Sequence, residues 1–326
     1  MIRIGLLGAG GMGNVHGRHY RNVPDVKVLF WDADAERRDA FVRRWDYECA
    51  QSLDDLITRS DALDVCLPTD LHLEMGRRAI AAGRALLVEK PAAKSFEDAI
   101  ALYREAEKAG VPYMVGHVVR FFPEYAKAHH DVVSGGIGRP AVARLRRGGL
   151  APTGANSWFM DHSRSGGVLL DLATHDFDWL RWTLGEVTLV NSRSLGAHTG
   201  TGPDYALTVL SFDSGAIAHV ESTWMDPGGS RMTFEVCGSD GMIEWDSRST
   251  PSLKTQLVGK SFNESPLAPA DDPYFKELSA FVQYVRDGGD APVSGLDGAL
   301  AVGISLTALA SAREGRPLVT PTGATA

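Results

Sequence analysis

Two aspartates and a histidine in the second half of the chain have a spacing suited to acid–base chemistry. Asp171, His175 and Asp178 occupy positions i, i+4 and i+7 of a predicted helix, which places them on one helical face. Because an imidazole changes charge near neutral pH, a histidine flanked by carboxylates can move a proton during a reaction. A face of exposed ion pairs is the alternative interpretation.

A lysine follows an apolar run in the first half of the chain. Glu89-Lys90-Pro91 comes directly after Ala85–Val88, which we predict to be a buried parallel strand. Ligands bind at the carboxyl ends of such strands, where the ammonium of Lys90 can donate to a substrate hydroxyl. It would then stabilise the alkoxide that develops as a hydride leaves. A solvated surface lysine is the alternative.

A phosphate-binding loop is predicted near the N-terminus. The strand-like run Ile2–Leu7 leads into Gly8-Ala9-Gly10-Gly11-Met12-Gly13, which has the G-x-G-x-x-G spacing between a strand and a helix. Gly8 permits the tight turn, Gly10 lets the backbone approach a pyrophosphate, and Gly13 lets the helix pack closely on the strand. The free N–H groups of the helix N-terminus attract phosphates. The loop therefore predicts a dinucleotide site.

An acidic residue after the second strand indicates which dinucleotide is bound. Asp32 lies 19 positions beyond Gly13, where a carboxylate meets the hydroxyls of the adenosine ribose. A carboxylate there repels a 2′-phosphate, so NAD is favoured over NADP. Arg37 and Arg38 lie close by, and an arginine is able to accommodate a phosphate, so NADP stays the alternative.

The elements that position these residues alternate in the first third of the chain. Short continuous apolar runs separated by amphipathic stretches indicate a parallel sheet covered on both faces, and right-handed crossovers make it doubly wound. We assign residues 1–120 to this Rossmann domain. The predicted strands are Ile2–Leu7, Val26–Trp31, Leu63–Leu67, Ala85–Val88 and Pro112–Val115, and the predicted helices are Gly11–Arg21, Ala35–Trp45, Leu71–Ala82 and Phe96–Ala109.

Residues 121–326 have a different pattern, with runs of adjacent strands that predict an antiparallel or mixed sheet. The last two helices are expected to pack back on the body of the protein. The predicted strands are one near Arg139–Arg147, Thr188–Ala197, Tyr205–Phe212, Ala216–Thr223, Arg231–Cys237 and Gly241–Trp245, and the predicted helices are Pro123–Val133, Gly167–Leu184, Asp272–Asp287 and Asp297–Glu314.

The composition limits the classes of function. A chain of 326 residues is expected to form two domains, and a net charge of −8 argues against a nucleic-acid partner. Three cysteines without a CxxC pair predict no disulfide framework, and the histidines form no HExxH motif, so no metal site is predicted. We expect a cytoplasmic protein, because we find no signal peptide and no membrane-spanning run of about 18 apolar residues.

An ordered set of motifs over nearly the whole chain resembles the Gfo/Idh/MocA oxidoreductase family. The set departs from the family pattern at Ser165-Gly166-Gly167, at Leu67-Pro68-Thr69 and after His117, which bears on substrate rather than on reaction class. The matching landmarks are Gly8–Gly13 with His16, Leu67-Pro68-Thr69 with His72, Glu89-Lys90-Pro91, Gly116-His117 with Arg120-Phe121 and Pro123, Gly166-Gly167 with Asp171 and His175, and Asp272-Pro273-Tyr274 through Phe281.

The resemblance implies a role for each matching residue. Lys90 would contact nicotinamide ribose and substrate, with a Lys90–Pro91 bond that is often cis. Asp171 and His175 would be the carboxylate and the acid–base histidine. Asp178 would hold a sugar hydroxyl. The expected cofactor contacts beyond the glycine loop and Asp32 are Leu67, Pro68, Thr69, His72, Glu89, Lys90 and Pro91, and the expected substrate contacts are Lys90, His117, Arg120, Trp158, Asp171, His175 and Asp178.

The function expected from these residues is NAD(H)-dependent hydride transfer at a ring hydroxyl or ketone of a sugar or inositol-like cyclitol. The resemblance also implies an open, mainly antiparallel sheet in the second domain and a homodimer or homotetramer. One alternative is a reductase of another carbonyl, such as a nucleotide-sugar ketone or a pigment. A non-catalytic dinucleotide-sensing regulator of the same fold is the other.

Overall fold

The computed structural model describes residues 1–152, 155–196, 204–250, 252–264 and 272–321. The chain divides into two compact units, which are described separately. The first unit contains Met1–Val118 and Asp272–Ala299, and the second contains Val119–Thr153, Ser157–Asp271 and Leu300–Ala326.

The first unit is built on a six-stranded parallel sheet with the strand order β3-β2-β1-β4-β5-β6. The order reverses between β1 and β4, which is where a doubly wound sheet opens a crevice for a ligand. The predicted fold class is therefore confirmed. In chain order the elements are β1 (Ile2–Leu7), α1 (Gly11–Tyr20), β2 (Val26–Trp31), α2 (Ala35–Trp45), β3 (Glu48–Cys49), α3 (Leu53–Arg59), β4 (Ala62–Val65), α4 (His72–Ala81), β5 (Ala85–Glu89), α5 (Phe96–Ala109) and β6 (Tyr113–Gly116).

Strand β3 and helix α3 were not predicted. Only two residues of β3 pair with β2, which is too short for an apolar run to be recognised. Helix α3 has seven residues, and its N-terminus is capped by Ser52, whose side-chain oxygen accepts from the backbone N–H of Asp55 at 3.1 Å. Both elements are local, and neither changes the order of the other strands.

A helix from the C-terminal part of the chain completes the first unit. Helix α9 (Pro273–Asp287) is capped by Asp272, and its Tyr274 ring stacks on His19 of α1 with 6.0 Å between ring centroids. Helix α10 (Gly295–Glu314) begins in the same unit, where Gly298 packs against Val115 of β6. Helix α9 therefore packs against α1 within the first unit.

Helix α10 is long and apolar enough, by composition alone, to cross a membrane, which the sequence interpretation did not foresee. The most apolar 18-residue window of this helix is 67% buried inside the protein. A core helix surrounded by other elements has the same composition, because it is apolar on every face.

The second unit is built on a nine-stranded sheet with the order β14-β13-β12-β11-β7-β10-β9-β8-β15. All neighbours are antiparallel except β7 and β10. The elements are α6 (Pro123–Val133), β7 (Pro140–Gly148), α7 (His162–Ser165), α8 (Thr174–Leu184), β8 (Val187–Leu195), β9 (Tyr205–Phe212), β10 (Ile217–Thr223), β11 (Arg231–Gly238), β12 (Gly241–Asp246), β13 (Leu253–Leu257), β14 (Lys260–Glu264) and β15 (Leu318–Val319).

Helices α6 and α8 cover one face of this sheet. An aromatic cluster fills the interface, where the ring of Tyr125 meets Trp179, Phe234 and Trp245 edge-on at centroid distances of 4.9–5.2 Å. Strands β13, β14 and β15 were not predicted, and Ala197, the predicted end of β8, lies outside the described residues. The mainly antiparallel sheet agrees with the predicted fold class.

The helix predicted over Gly167–Leu184 is divided in two. Gly166 and Gly167 adopt φ of 72° and 67°, and Val168–Leu172 then forms a π-helical turn before α8 begins at Thr174. The N–H of Ala173 donates to the carbonyl of Val168, five residues back, at 2.9 Å. The prediction of one regular helix over Gly167–Leu184 was therefore wrong, because a π-helical turn carries Asp171, whereas α8 carries His175 and Asp178. That the three side chains share one face stays a prediction.

Candidate active site

The glycine loop between β1 and α1 has the geometry of a phosphate cradle. Gly8 has φ of 104°, and a Cβ on it would lie 2.5 Å from the carbonyl oxygen of Cys66. A Cβ on Gly13 would lie 1.8 Å from the Gly8 carbonyl oxygen, so both positions require glycine. A Cβ on Gly10 or Gly11 would meet nothing, which leaves open space beside the N-terminus of α1. The loop therefore fits a dinucleotide pyrophosphate.

Two side chains that the sequence interpretation missed hold the carbonyl groups of this loop. The Asn14 amide donates to the carbonyl oxygens of Ala9 and Gly10 at 3.0 and 2.8 Å. The indole N–H of Trp45 donates to Asn14 Oδ1 at 2.9 Å, which fixes the orientation of the amide. Because the Asn14 amide holds these carbonyl groups, the peptide groups of the loop are already fixed before a phosphate binds.

Asp32 lies at the end of β2 and is buried, with 6% of its surface exposed. Its Oδ2 accepts from the N–H of Ala9 and its Oδ1 from the N–H of Asp34, each at 2.8 Å. Arg38 donates to the backbone carbonyl of Asp32 at 2.7 Å, and Arg37 lies 3.5 Å from the Asp34 carboxylate. The carboxylate is thus fixed beside the loop, and both arginines have acidic or carbonyl partners, an arrangement that suits NAD.

Two further segments lie at the same carboxyl edge of the first sheet. Leu67-Pro68-Thr69 follows β4, and Glu89 ends β5 with Lys90-Pro91 directly after it. Lys90 is half-buried, and the Lys90–Pro91 bond is cis, as the resemblance implied. His72 joins the two segments, because its Nδ1 and Nε2 lie 2.8 Å from the carbonyl oxygens of Pro91 and Leu67. His72 therefore positions both segments, and its direct contact with the cofactor stays a prediction.

Every strand of the first unit that was predicted to carry a site residue presents it at this one edge. Gly8 follows β1, Asp32 follows β2, and Lys90 follows β5. His117 follows β6, where it is fully buried and its N–H donates to the Val115 carbonyl at 2.8 Å. Parallel strands collect their carboxyl ends at one edge, which is why residues far apart in sequence come together.

In the second unit, the predicted acid–base residues lie at the start of α8 and in the π-helical turn before it. Asp171 is buried, with 6% exposed, whereas His175 is half-buried. The predicted substrate contact Trp158 is also half-buried, and its ring stacks on Phe159 with 4.1 Å between centroids.

Arg120 and Asp178, both predicted to bind substrate, form an ion pair with each other. Arg120 donates from Nε and Nη2 to the two carboxylate oxygens of Asp178 at 2.8 and 2.6 Å. Asp178 is fully buried, and the guanidinium also lies over the ring of Trp182, 5.1 Å from its centroid. The pair fixes α8 one turn beyond His175, and a sugar contact by either residue stays a prediction.

A second buried pair was missed because its partners are distant in sequence. Arg147 on β7 donates from Nε and Nη2 to the Asp176 carboxylate, with a shortest distance of 2.7 Å, and to the Tyr125 hydroxyl at 3.2 Å. Asp176 directly follows His175, so the turn that carries the histidine is attached to the sheet. The signal in the sequence is an aspartate in a helix with apolar residues such as Phe177 and Trp179, because a buried carboxylate there requires a partner.

A glycine cradle, a carboxylate fixed beside it and a lysine at the sheet edge are typical of the dinucleotide-binding part of an oxidoreductase. Models of known families agree with this class. Residues 2–117 match an oxidoreductase family with an NAD-binding Rossmann fold, and residues 125–244 match the GFO/IDH/MocA C-terminal domain.

Similar proteins cover nearly the full length. The chain is 30% identical to scyllo-inositol 2-dehydrogenase (NAD(+)) of Bacillus subtilis over 97% of this chain and 96% of that protein. It is 30% identical to myo-inositol 2-dehydrogenase of Thermotoga maritima, with 97% of both proteins covered. The crystal structure of a probable dehydrogenase from Thermotoga maritima is similar with a TM-score of 0.84 and 27% identity over 98% of both chains. The chain belongs to the GFO/IDH/MocA oxidoreductase family.

Proposed function

We propose that this protein is an NAD(H)-dependent dehydrogenase that oxidises a ring hydroxyl of a cyclitol or sugar, with an inositol-like polyol as the first candidate. The observation that carries the proposal is the fixed Asp32 carboxylate beside the glycine cradle. It supports NAD binding, and full-length relatives named as inositol dehydrogenases support the substrate class.

The proposed roles divide between binding and proton transfer. The glycine loop holds the pyrophosphate, and Asp32 holds the adenosine ribose. When bound, NAD supplies the hydride acceptor. His175 accepts the proton of the reacting hydroxyl, because an imidazole is the side chain best suited to that step near neutral pH. Lys90 stabilises the oxyanion that develops, and Asp171 orients His175 or the hydroxyl.

The proposed cellular form follows from the family resemblance. We propose a cytoplasmic homodimer or homotetramer, in which the exposed face of the second unit's sheet provides the subunit contact. Charged side chains of opposite sign pair across this face, among them Arg144 with Glu235 and Lys254 with Glu244. Such a mixed, charged surface also suits a protein without a nucleic-acid partner.

The test is NADH formation across inositols, aldoses and anhydrosugars, with NAD and NADP in parallel. We expect turnover with NAD and one group of polyols. His175→Ala should lower kcat by about 10²–10⁴-fold, because it removes the general base, and should change NAD affinity far less.

Lys90→Ala is expected to lower kcat as well, and Arg77→Ala is the control. Arg77 forms an exposed ion pair with Glu105 on α4 and α5, away from the sheet edge, so its loss should leave kcat unchanged. NAD binding without turnover of any polyol would contradict the proposed substrate class. Equal losses of NAD affinity and kcat in His175→Ala would contradict the role of the histidine.

A further inference from the structure

The first unit contains a buried histidine whose chemistry the proposed reaction does not use. His16 on α1 is fully buried, and its Nδ1 lies 2.8 Å from Asp64 Oδ2 and 3.3 Å from the thiol of Cys66. On the other side of the ring, Nε2 lies 3.2 Å from Glu89 Oε1. One imidazole is therefore located between two carboxylates that are themselves almost fully buried.

The surroundings of the ring favour its protonated form. Burial alone would lower the pKa of His16, but the neighbouring Asp64 carboxylate outweighs that effect and the pKa lies well above 6.5. Burial would likewise raise the pKa of Glu89, yet His16 beside it lowers the value overall. Two buried carboxylates without a cation would be costly, so a protonated imidazole between them is the stable arrangement.

The imidazole connects the sheet to the backbone of Lys90. Glu89 uses one carboxylate oxygen toward His16 and the other to accept from the Lys90 backbone N–H at 3.0 Å. Asp64 lies on β4, so the connection runs from that strand through His16 and Glu89 to Lys90. On the far side of the lysine, the Pro91 carbonyl is held by His72. The peptide groups on both sides of Lys90 are thus anchored by buried side chains.

The same imidazole belongs to the helix that follows the glycine loop. His16 lies three positions after Gly13, and the carbonyl of Cys66 lies against Gly8 in that loop. The segment that binds the pyrophosphate and the segment that carries Lys90 therefore share one buried contact group. Displacement of the ring would affect both segments.

We propose that His16 is a positioning residue, which bridges Asp64 and Glu89 and thereby fixes the backbone direction of Lys90 toward the bound cofactor. The inference rests on the proposed function in one respect, which is that Lys90 acts on the substrate. The bridge requires a polar ring nitrogen on each side, because Nδ1 is in hydrogen-bond contact with Asp64 and Nε2 lies at an ion-pair distance from Glu89.

Several other titratable groups surround the ring from each neighbouring element. Tyr20 lies on the same helix, Cys66 follows β4, and Tyr274 and Glu277 lie on α9, with the Tyr274 ring centroid 6.4 Å from that of His16. Burial raises the pKa of Tyr20, Cys66 and Glu277, and for Tyr274 it does so to about 12. The same burial therefore favours the neutral form of all four groups.

A metal ion is the competing explanation for this cluster. The ligand atoms of His16, Asp64 and Cys66 lie within 4.8 Å of one another. A zinc ion requires a deprotonated thiolate. The raised pKa of Cys66 and the hydrogen-bond distance between His16 and Asp64 instead favour a protonated thiol and direct contact. Metal analysis of the purified protein belongs to the test.

The test is chemical rescue of His16→Ala with two small molecules of equal size. The compound 4-methylimidazole is the missing side chain and has two ring nitrogens that can both donate when protonated. The compound 1-methylimidazole carries the same charge but has only one N–H. We expect kcat to fall by about 10- to 100-fold in His16→Ala, because a misplaced catalytic group is costly. Only 4-methylimidazole should restore it.

A second readout does not depend on turnover. Hydrogen exchange of the Lys90 amide should accelerate by about 10-fold in His16→Ala, because Glu89, which accepts from that amide, loses its contact with His16. The exchange should slow again when 4-methylimidazole is added. This readout separates the two proposals. If the wild type oxidises no polyol but the exchange behaves as described, the proposed function fails and the positioning role of His16 stands.

Controls complete the design. His130→Ala, at an exposed position near the end of α6, should change neither kcat nor the exchange. If His16→Ala does not fold even with 4-methylimidazole, Glu89→Gln decides, with a loss of kcat and faster exchange expected. Equal rescue by both compounds, an unchanged Lys90 exchange, or a stoichiometric metal whose removal abolishes folding would each overturn the proposal.

Discussion

Two buried carboxylates of the first unit share one imidazole, whereas two buried aspartates of the second unit each pair with an arginine of their own. His16 serves both Asp64 and Glu89. In the second unit, Arg120 and Arg147 each hold one aspartate through two nitrogen atoms. A guanidinium stays charged at any pH that a protein experiences, but an imidazolium does not. The stability that His16 contributes to the first unit should therefore depend on alkaline pH, whereas the stability contributed by the two arginine pairs should not.

The largest effect is expected from a break in one of the arginine pairs. Asp176→Asn leaves the buried guanidinium of Arg147 without a counter-charge, which should lower the free energy of unfolding by about 3–5 kcal/mol. Urea unfolding followed by circular dichroism measures this change. Asp131→Asn is the matched control, because Asp131 pairs with the partly exposed Lys127 and should cost less than about 1 kcal/mol. Equal effects would show that burial of the pair is unimportant.

A smaller effect is expected from the pH dependence of the imidazole. Because the pKa of His16 is raised in the folded state, its stabilising contribution is complete below 6.5 and is lost as pH rises through the folded value. The slope contributed by one such proton is at most about 1.4 kcal/mol per pH unit. We expect His16→Gln to flatten the alkaline side of the urea stability profile. An unchanged slope would mean that the charge of His16 does not stabilise the fold.

The smallest effect is expected at Glu277 on α9. Burial and the neighbouring Glu89 raise its pKa well above 4.5, so the folded state keeps a proton that the unfolded state releases. The wild type therefore loses stability as pH rises above about 4.5, and Glu277→Gln should be more stable at pH 7 by about 1 kcal/mol. Thermal unfolding of the wild type and of Glu277→Gln at pH 7 and near pH 4.5 measures the difference. A gain of the same size at the lower pH would point to packing rather than ionisation.

The sequence predicted most of the first unit because its strands are continuous apolar runs. Ile2–Leu7 and Val26–Trp31 were predicted with the bounds that the structure has. Strands such as β3 and β15 have only two residues and owe their pairing to distant partners, so no local pattern indicates them. The π-helical turn before α8 was missed because the prediction from residue spacing assumed a regular α-helix.

The site was predictable where residue type and a local motif coincide. The glycine loop, Asp32 and Lys90 each follow a strand, and their chemistry could be assigned from that context. Partners were not predictable, because Asp64 and Arg147 lie 48 and 29 positions from His16 and Asp176. Asp64 does carry a signal, since a carboxylate inside an apolar strand requires a buried partner.

The hydrogen bond between Trp45 and Asn14 gives the protein an internal optical reporter. The indole N–H of Trp45 is tied to the amide that holds the glycine-loop carbonyls, so a ligand that displaces the loop alters the polar environment of the ring. Tryptophan emission depends on that environment. Cofactor occupancy should therefore be visible in the intrinsic fluorescence of the unlabelled chain, and Trp45→Phe should remove that part of the signal.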